Sequence, residues 1–227
     1  RLIWLLFTVI AVCDSADQQL DLAKSWSIVG VENSKYLING LSVPFGVHTA
    51  LANSNLTSNI LLGFNEIEQR WIANGSQLWR FVNNFDLPAD IMLNKSMIDL
   101  ELYSTDTFAS VFLNDKYLDQ TANQFSKSLF KGVNNHLIVG AKNRLEINMK
   151  SPVQVAKGYS YLLPYSIPGS CKSGNDGECF VNSIRKQQSS FGSTVSWLDF
   201  CLYLSIFIIN FFLIFKQKRN LLLVCQQ

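Results

Sequence analysis

Leu145-Glu146-Ile147-Asn148-Met149-Lys150 alternates apolar and polar residues one for one, and Ser151-Pro152 stops it. Successive side chains of an extended chain point to opposite faces, so this pattern predicts a half-buried strand, dry on one side and wet on the other. The same period recurs upstream. Ile98, Leu100 and Leu102 alternate with Asp99, Glu101 and Tyr103, and this pattern predicts a solvated face carrying the two carboxylates. Trp79, Phe81, Asn83 and Phe85 share one face of a segment ended by Pro88, and Trp26 and Ile28 sit in a similar short run. Phe108 to Leu113 closes on the turn-forming Asn114-Asp115, while Phe125, Lys127 and Leu129 alternate ahead of Gly132. Between residues 14 and 196 no long stretch carries a helical apolar period, and no internal repeat is visible. Short strands divided by turns predict an all-β antiparallel sandwich or jelly roll, not a parallel α/β sheet.

The two ends read differently from this body. Hydrophobic residues make up 48% of the chain and charged residues 16%, too apolar for a disordered polypeptide, and the excess sits at the termini. Leu2 to Val12 is an apolar run preceded by Arg1, with the small residues Ala11 and Cys13 bracketing a cleavage point before Asp14. That combination predicts a secretory signal helix over residues 1–13, too short to span a bilayer. The alternative, an apolar helix of the core, would show an amphipathic face, and none is present. Three Asn-x-Ser/Thr triplets, at Asn55, Asn74 and Asn94, support the secretory reading, because only luminal, exposed backbone is glycosylated there.

Of five cysteines, Cys13 falls in the signal segment and Cys201 and Cys225 in the tail. Cys171 and Cys179 remain, separated by flexible polar sequence, and an oxidising lumen makes a disulfide the default between them. A metal site would need further ligands, and His48 and His136 are the only histidines; no metal and no cofactor is expected. The net charge of +2 comes from the termini, where Arg1, Lys216, Lys218 and Arg219 lie. The body carries no basic stripe interleaved with aromatics, which argues against nucleic acid as a partner.

The tail admits two readings. Phe200 to Phe215 is interrupted only by Ser205 and Asn210 and is followed by Lys216-Gln217-Lys218-Arg219. As an apolar helix it would be a marginal membrane anchor with a basic cytosolic flank, shorter than the roughly 20 residues a span requires. Extending it back to Trp197 would bring Asp199 into the hydrocarbon. Alternatively the run is intron sequence translated in frame, since Phe-, Ile- and Leu-rich sequence begins abruptly after Val195-Ser196, a pair that a splice donor commonly encodes.

Catalytic signatures are sparse. Glu66 with Glu68, and Asp99 with Glu101, are carboxylates two apart, which on a strand would share a face and could flank a sugar. Alternation with Ile98, Leu100 and Leu102 favours the plain structural reading for the second pair. His48 follows Val43-Pro44-Phe45-Gly46-Val47 in a predicted turn and has no Ser or Cys nucleophile motif beside it, so it reads as a hydrogen-bonded structural residue. No nucleophile elbow, phosphate loop or dinucleotide fingerprint is present. On the residues alone this is a non-catalytic module.

Three stretches carry a resemblance. Val43-Pro44-Phe45-Gly46-Val47-His48-Thr49-Ala50-Leu51 is similar to V-P-G-x-V-H-x-x-L; Phe64-Asn65-Glu66 precedes Arg70-Trp71 and the strand around Trp79; and Gly177-Glu178-Cys179-Phe180-Val181-Asn182-Ser183-Ile184-Arg185-Lys186-Gln187 resembles G-E-C-H-V-N-F-I-R-K-E-Q. Asp106-Thr107 and Leu113-Asn114-Asp115 fall between them in order. Together they resemble the N-terminal domain of β-mannosidases, in the glycoside hydrolase group that includes β-galactosidase and β-glucuronidase. The resemblance covers residues 20–192 and implies a galactose-binding-like jelly roll over 17–196, with the tail at 197–219. It further implies a lysosomal enzyme that removes terminal β-linked mannose from oligosaccharides, and it supports the Cys171–Cys179 bridge.

The departures from that pattern are equally informative. Gln187 and Ser189 replace a Glu and a Cys, and after Phe191-Gly192 the sequence Ser193-Thr194-Val195-Ser196 stands where the family has W-D-W-G-P. The family's (β/α)₈ barrel, which holds its acid and nucleophile glutamates, has no counterpart here, so no residue of this chain is assigned a catalytic role. The implied partners are β-mannoside oligosaccharides, through the full-length enzyme, and the barrel itself. If the barrel covers one side of the sandwich, that side should expose an apolar patch. The competing reading is a membrane-tethered carbohydrate-binding or scaffolding module.

Overall fold

The computed structural model describes residues 20–75, 77–88, 91 and 97–165, together with the backbone of 209–211. Among the described residues nine strands form two antiparallel sheets: β1 Trp26–Gly30, β2 Leu37–Leu41, β3 Trp79–Phe85, β4 Leu100–Thr105, β5 Ala109–Leu113, β6 Lys116–Thr121, β7 Ser128–Phe130, β8 Asn143–Met149 and β9 Ile209–Phe211. The larger sheet has six strands in the order β2-β1-β3-β8-β5-β6, and the smaller has three, β7-β4-β9. One core joins them, with Trp26, Ile28, Phe81, Val111 and Ile147 from the first and Leu100, Leu102 and Phe130 from the second. The all-β expectation holds for these residues.

β8 is central and keeps the alternation read from the sequence. Leu145, Ile147 and Met149 are buried while Arg144, Glu146 and Asn148 are half-buried. It is flanked on both edges, with Ile147 opposite Phe81 of β3 and opposite Val111 of β5. A one-residue slip would turn its dry face outward, so this register is strongly specified. The wet face has its own order: Glu146 takes ion pairs from Arg80 at 3.1 Å and from Arg144 at 2.5 Å. Trp79, Phe81, Asn83 and Phe85 all face inward, and the buried Asn83 amide is satisfied by the Lys24 carbonyl at 2.7 Å. Asn114 and Asp115, at φ 49° and 63°, form the tight turn between β5 and β6, the left-handed pair that matches strand twist in a hairpin.

Helices were under-read. Ser151-Pro152 ends β8 as expected but also begins α3, Pro152–Leu162. Ser151 is its N-cap, accepting the Gln154 N–H at 3.2 Å, and Pro152 occupies the first turn, where its missing N–H costs nothing. Only Pro152, Val153 and Ala156 of this helix are buried, which leaves too narrow a stripe to register as a helical period. The predicted turn at His48 is instead helix α1, Val47–Asn53, and the second short helix α2 spans Asn65–Glu68. In β7 the buried residue is Phe130 and Leu129 is exposed, as is Phe125 ahead of the strand. The signal segment 1–13, Asn94 and the Cys171–Cys179 pair lie outside the described residues. Of the apolar helix expected over 200–215, only Ile209–Phe211 is described, and its backbone is a strand.

The buried face of β8 generates the first prediction. Ile147→Ala, at a position with no exposed surface, should lower the unfolding free energy by about 2–5 kcal/mol in urea titrations. Ser27→Ala, on the half-buried face of β1, should cost less than about 1 kcal/mol.

Candidate functional site

The two carboxylate pairs do not form a sugar-cleaving site. Glu66 and Glu68 lie in α2, not on a strand, so positions two apart diverge; Glu66 is buried and Glu68 exposed. Asp99 and Glu101, expected on a solvated face, are buried at 5% and 8% exposure. Asp99 Oδ1 accepts the Gly132 N–H at 2.8 Å, and Glu101 pairs with Lys127 Nζ at 2.9 Å. Lys127 also sits over the Tyr103 ring, 3.6 Å from its centroid. These hydrogen-bonding and charge interactions with Tyr103 and Glu101 raise the Lys127 ammonium above its usual range. The Lys127 side chain and the Gly132 backbone amide, from the segment opposite, meet this face, a pairing that alternation along one segment cannot reveal. Both carboxylates are thus structural anchors.

What is solvent-facing lies between α1 and α2. The loop leaving α1 is tied down by local polar contacts: Leu56 N–H to Leu51 O at 2.9 Å, Leu61 N–H to Asn59 Oδ1 at 2.9 Å, and Asn65 Nδ2 to Asn59 O at 2.7 Å. Gln69 Nε2 adds a bond to Ser58 O at 2.8 Å. The backbone is therefore fixed by polar groups while the apolar side chains are left outside. Phe64 is 78% exposed and Leu62 62%, and Leu56, Leu61 and Ile67 are exposed beside them in sequence. A monomer's surface scatters single apolar residues, whereas five of them between Leu56 and Ile67 in one organised loop make it a candidate contact surface. The sequence signal was Ile60-Leu61-Leu62-Gly63-Phe64, apolar but without strand or helix period.

Beside this ridge is a cleft of about 230 Å³ lined by His48, Thr49, Ala52, Asn53, Asn59, Ile60 and Leu61. His48 is 3% exposed, and among the described residues its Nδ1 has no hydrogen-bond partner. Burial pushes the imidazole down to about 4, opposed by a hydrogen bond to the Gln69 backbone. The ring is therefore neutral near pH 7 and packs with α1 as part of the core. The structural reading of His48 stands, in a helix instead of a turn.

The glycosylation triplets differ in setting. Asn55 is exposed, at φ +55° just past α1, whereas Asn74 is half-buried and its carbonyl accepts Gln154 Nε2 of α3 at 2.8 Å. Among the described residues no group of three or more His, Cys, Asp or Glu side chains could hold a metal ion.

Between pH 6.5 and about 4 the unfolded chain binds a proton at His48 that the folded chain refuses, so stability falls as pH drops through that window. In His48→Gln that slope should vanish: urea unfolding across the window should show the wild type losing about 3 kcal/mol more than the variant. Asp99→Ala strands the Gly132 N–H and should cost about 1–3 kcal/mol in the same assay.

Residues 26–199 match the family model described as glycosyl hydrolase 2 galactose-binding domain-like. Bovine β-mannosidase is 34% identical over 175 residues, 76% of this chain and 19% of the relative. A probable β-mannosidase of Caenorhabditis elegans is 31% identical over 198 residues, 84% of this chain and 21% of the relative. Among solved structures, the β-D-mannosidase of Dictyoglomus thermophilum superposes with a TM-score of 0.60 at 30% identity, covering 68% of this chain and 18% of that one. The chain thus spans about a fifth of the length of the curated relatives it matches. It belongs to the glycosyl hydrolase 2 galactose-binding domain-like family, and the relatives it resembles are β-mannosidases.

Proposed function

We propose that this chain is the non-catalytic N-terminal module of a β-mannosidase, an enzyme releasing terminal non-reducing β-D-mannose from oligosaccharides, and that it performs no hydrolysis by itself. The observation that carries this reading is the organised apolar ridge from Leu56 to Ile67, the kind of face a domain presents when more polypeptide packs on it. The relatives supply such polypeptide, because about four-fifths of the bovine enzyme lies outside the matched stretch. A retaining glycosidase needs two carboxyls about 5 Å apart across the sugar, and an inverting one a wider pair. Here Asp99 and Glu101 are committed to Gly132 and Lys127.

In this reading the module packs against the catalytic barrel and helps to wall its substrate pocket. Passage through the secretory pathway to the lysosome, a Cys171–Cys179 bridge and glycans at Asn55, Asn74 and Asn94 belong to the same proposal, supported by the signal-like start and the family likeness. Asn55 is the most accessible of the described acceptors. The tethered carbohydrate-binding module finds no support in the matched relatives, which are β-mannosidases; among the described residues, which leave out most of the 200–215 run, no helix is long and apolar enough to cross a membrane.

The test is direct. The purified 227-residue chain, freed of contaminating hydrolases, should not turn over an aryl β-mannoside; measurable release of the aryl group would refute the reading. Expressed alone, the chain should self-associate through the ridge. Leu62→Ser/Phe64→Ser/Ile67→Ser should raise the monomeric fraction in size-exclusion chromatography at least about twofold, and an already monomeric wild type would count against the ridge as a covered face.

A further inference from the structure

The start of β4 is covered on both faces. Leu100 and Leu102 are 1% and 0% exposed on its core side, and Glu101 on its other side is 8% exposed. A strand buried on both faces has the character of a central strand, whose N–H and C=O groups need partners along both edges. On one edge, β7 pairs only with the start of β4, from Leu100 opposite Phe130 to Leu102 opposite Ser128. The other edge is taken by β9, with Leu102 opposite Phe211, Ser104 opposite Asn210 and Thr105 opposite Ile209. Ser104 and Thr105 thus find their described ladder partners only in β9. That strand comes from the apolar tail whose composition suggested a membrane span. Ile and Phe are equally strong strand formers, and the run contains both in abundance.

We propose that the β4 edge from Leu102 to Thr105 is a strand-acceptor site, and that Ile209–Phe211 is its donor, supplied by the same chain. The ligand class is an extended apolar segment, held by main-chain pairing. Docked as a strand, these residues cannot at the same time belong to a membrane-crossing helix, so the two fates of the tail exclude each other. The proposal does not depend on the β-mannosidase reading and can fail without it.

Hydrogen exchange on the whole 227-residue chain tests it. In the wild type the one of the adjacent Ser104 and Thr105 amides that points to the β9 edge should exchange at least about tenfold more slowly than in Asn210→Pro, which breaks the β9 ladder, while the β3–β8 amides stay equally protected in both. A synthetic peptide of residues 205–214 should restore the slow exchange to the variant. Wild-type Ser104 and Thr105 amides exchanging at unstructured rates would overturn the proposal whether or not the variant folds. So would protection that rises with chain concentration, which would make a second copy the donor. A third contrary result is a protease-protected helix over 200–215 when the wild type meets phosphatidylcholine vesicles.

Discussion

The ladder that holds β8 between β3 and β5 sets the geometry of the whole molecule. It aligns Leu145, Ile147 and Met149 with Phe81 and Val111 in a continuous dry layer, and burial of that layer is the dominant favourable term available to a sandwich of this size. The smaller sheet has few strands and could not stand alone; it persists because Leu100, Leu102 and Phe130 complete the same core. The outward face of the ladder is then free to carry charge, as the Arg80–Glu146–Arg144 cluster does.

From that frame, the functional surface is defined by contrast. Polar groups that chemistry would need are turned to structural use: Asp99 holds the Gly132 amide, Glu101 holds Lys127, and His48 is sealed neutral in α1. The groups that water would prefer to avoid are turned outward between α1 and α2, on a loop that Asn59 and Gln69 hold in shape. A sandwich whose Asp99 and Glu101 are spent internally and whose α1–α2 loop presents apolar side chains is suited to being packed against.

Much of this was readable in the sequence where a segment's environment is set by its own period. β8, β3 and the start of β1 announced themselves, and Asn114-Asp115 marked its hairpin, because alternation and turn chemistry are local properties. Burial of Asp99 and Glu101 was not readable, since it depends on Lys127 and Gly132, which reach β4 only through pairing of distant segments. α3 escaped because three inward residues suffice to dock it, and α1 because Gly46 supplies an N-cap without a side-chain signal. The family motif from Val43 to Leu51 located α1 correctly without revealing that it is a helix.

We propose that this sandwich is a supporting module completed by catalytic polypeptide packed on its α1–α2 face. The most direct measurement replaces the matched fifth of bovine β-mannosidase with residues 26–199 of this chain and follows aryl β-mannoside hydrolysis. Activity in the chimera, lost when Phe64→Asp is introduced into the ridge, is the predicted result. A folded chimera that hydrolyses the substrate equally well with Asp at position 64 would show that the α1–α2 face is not where the catalytic polypeptide packs.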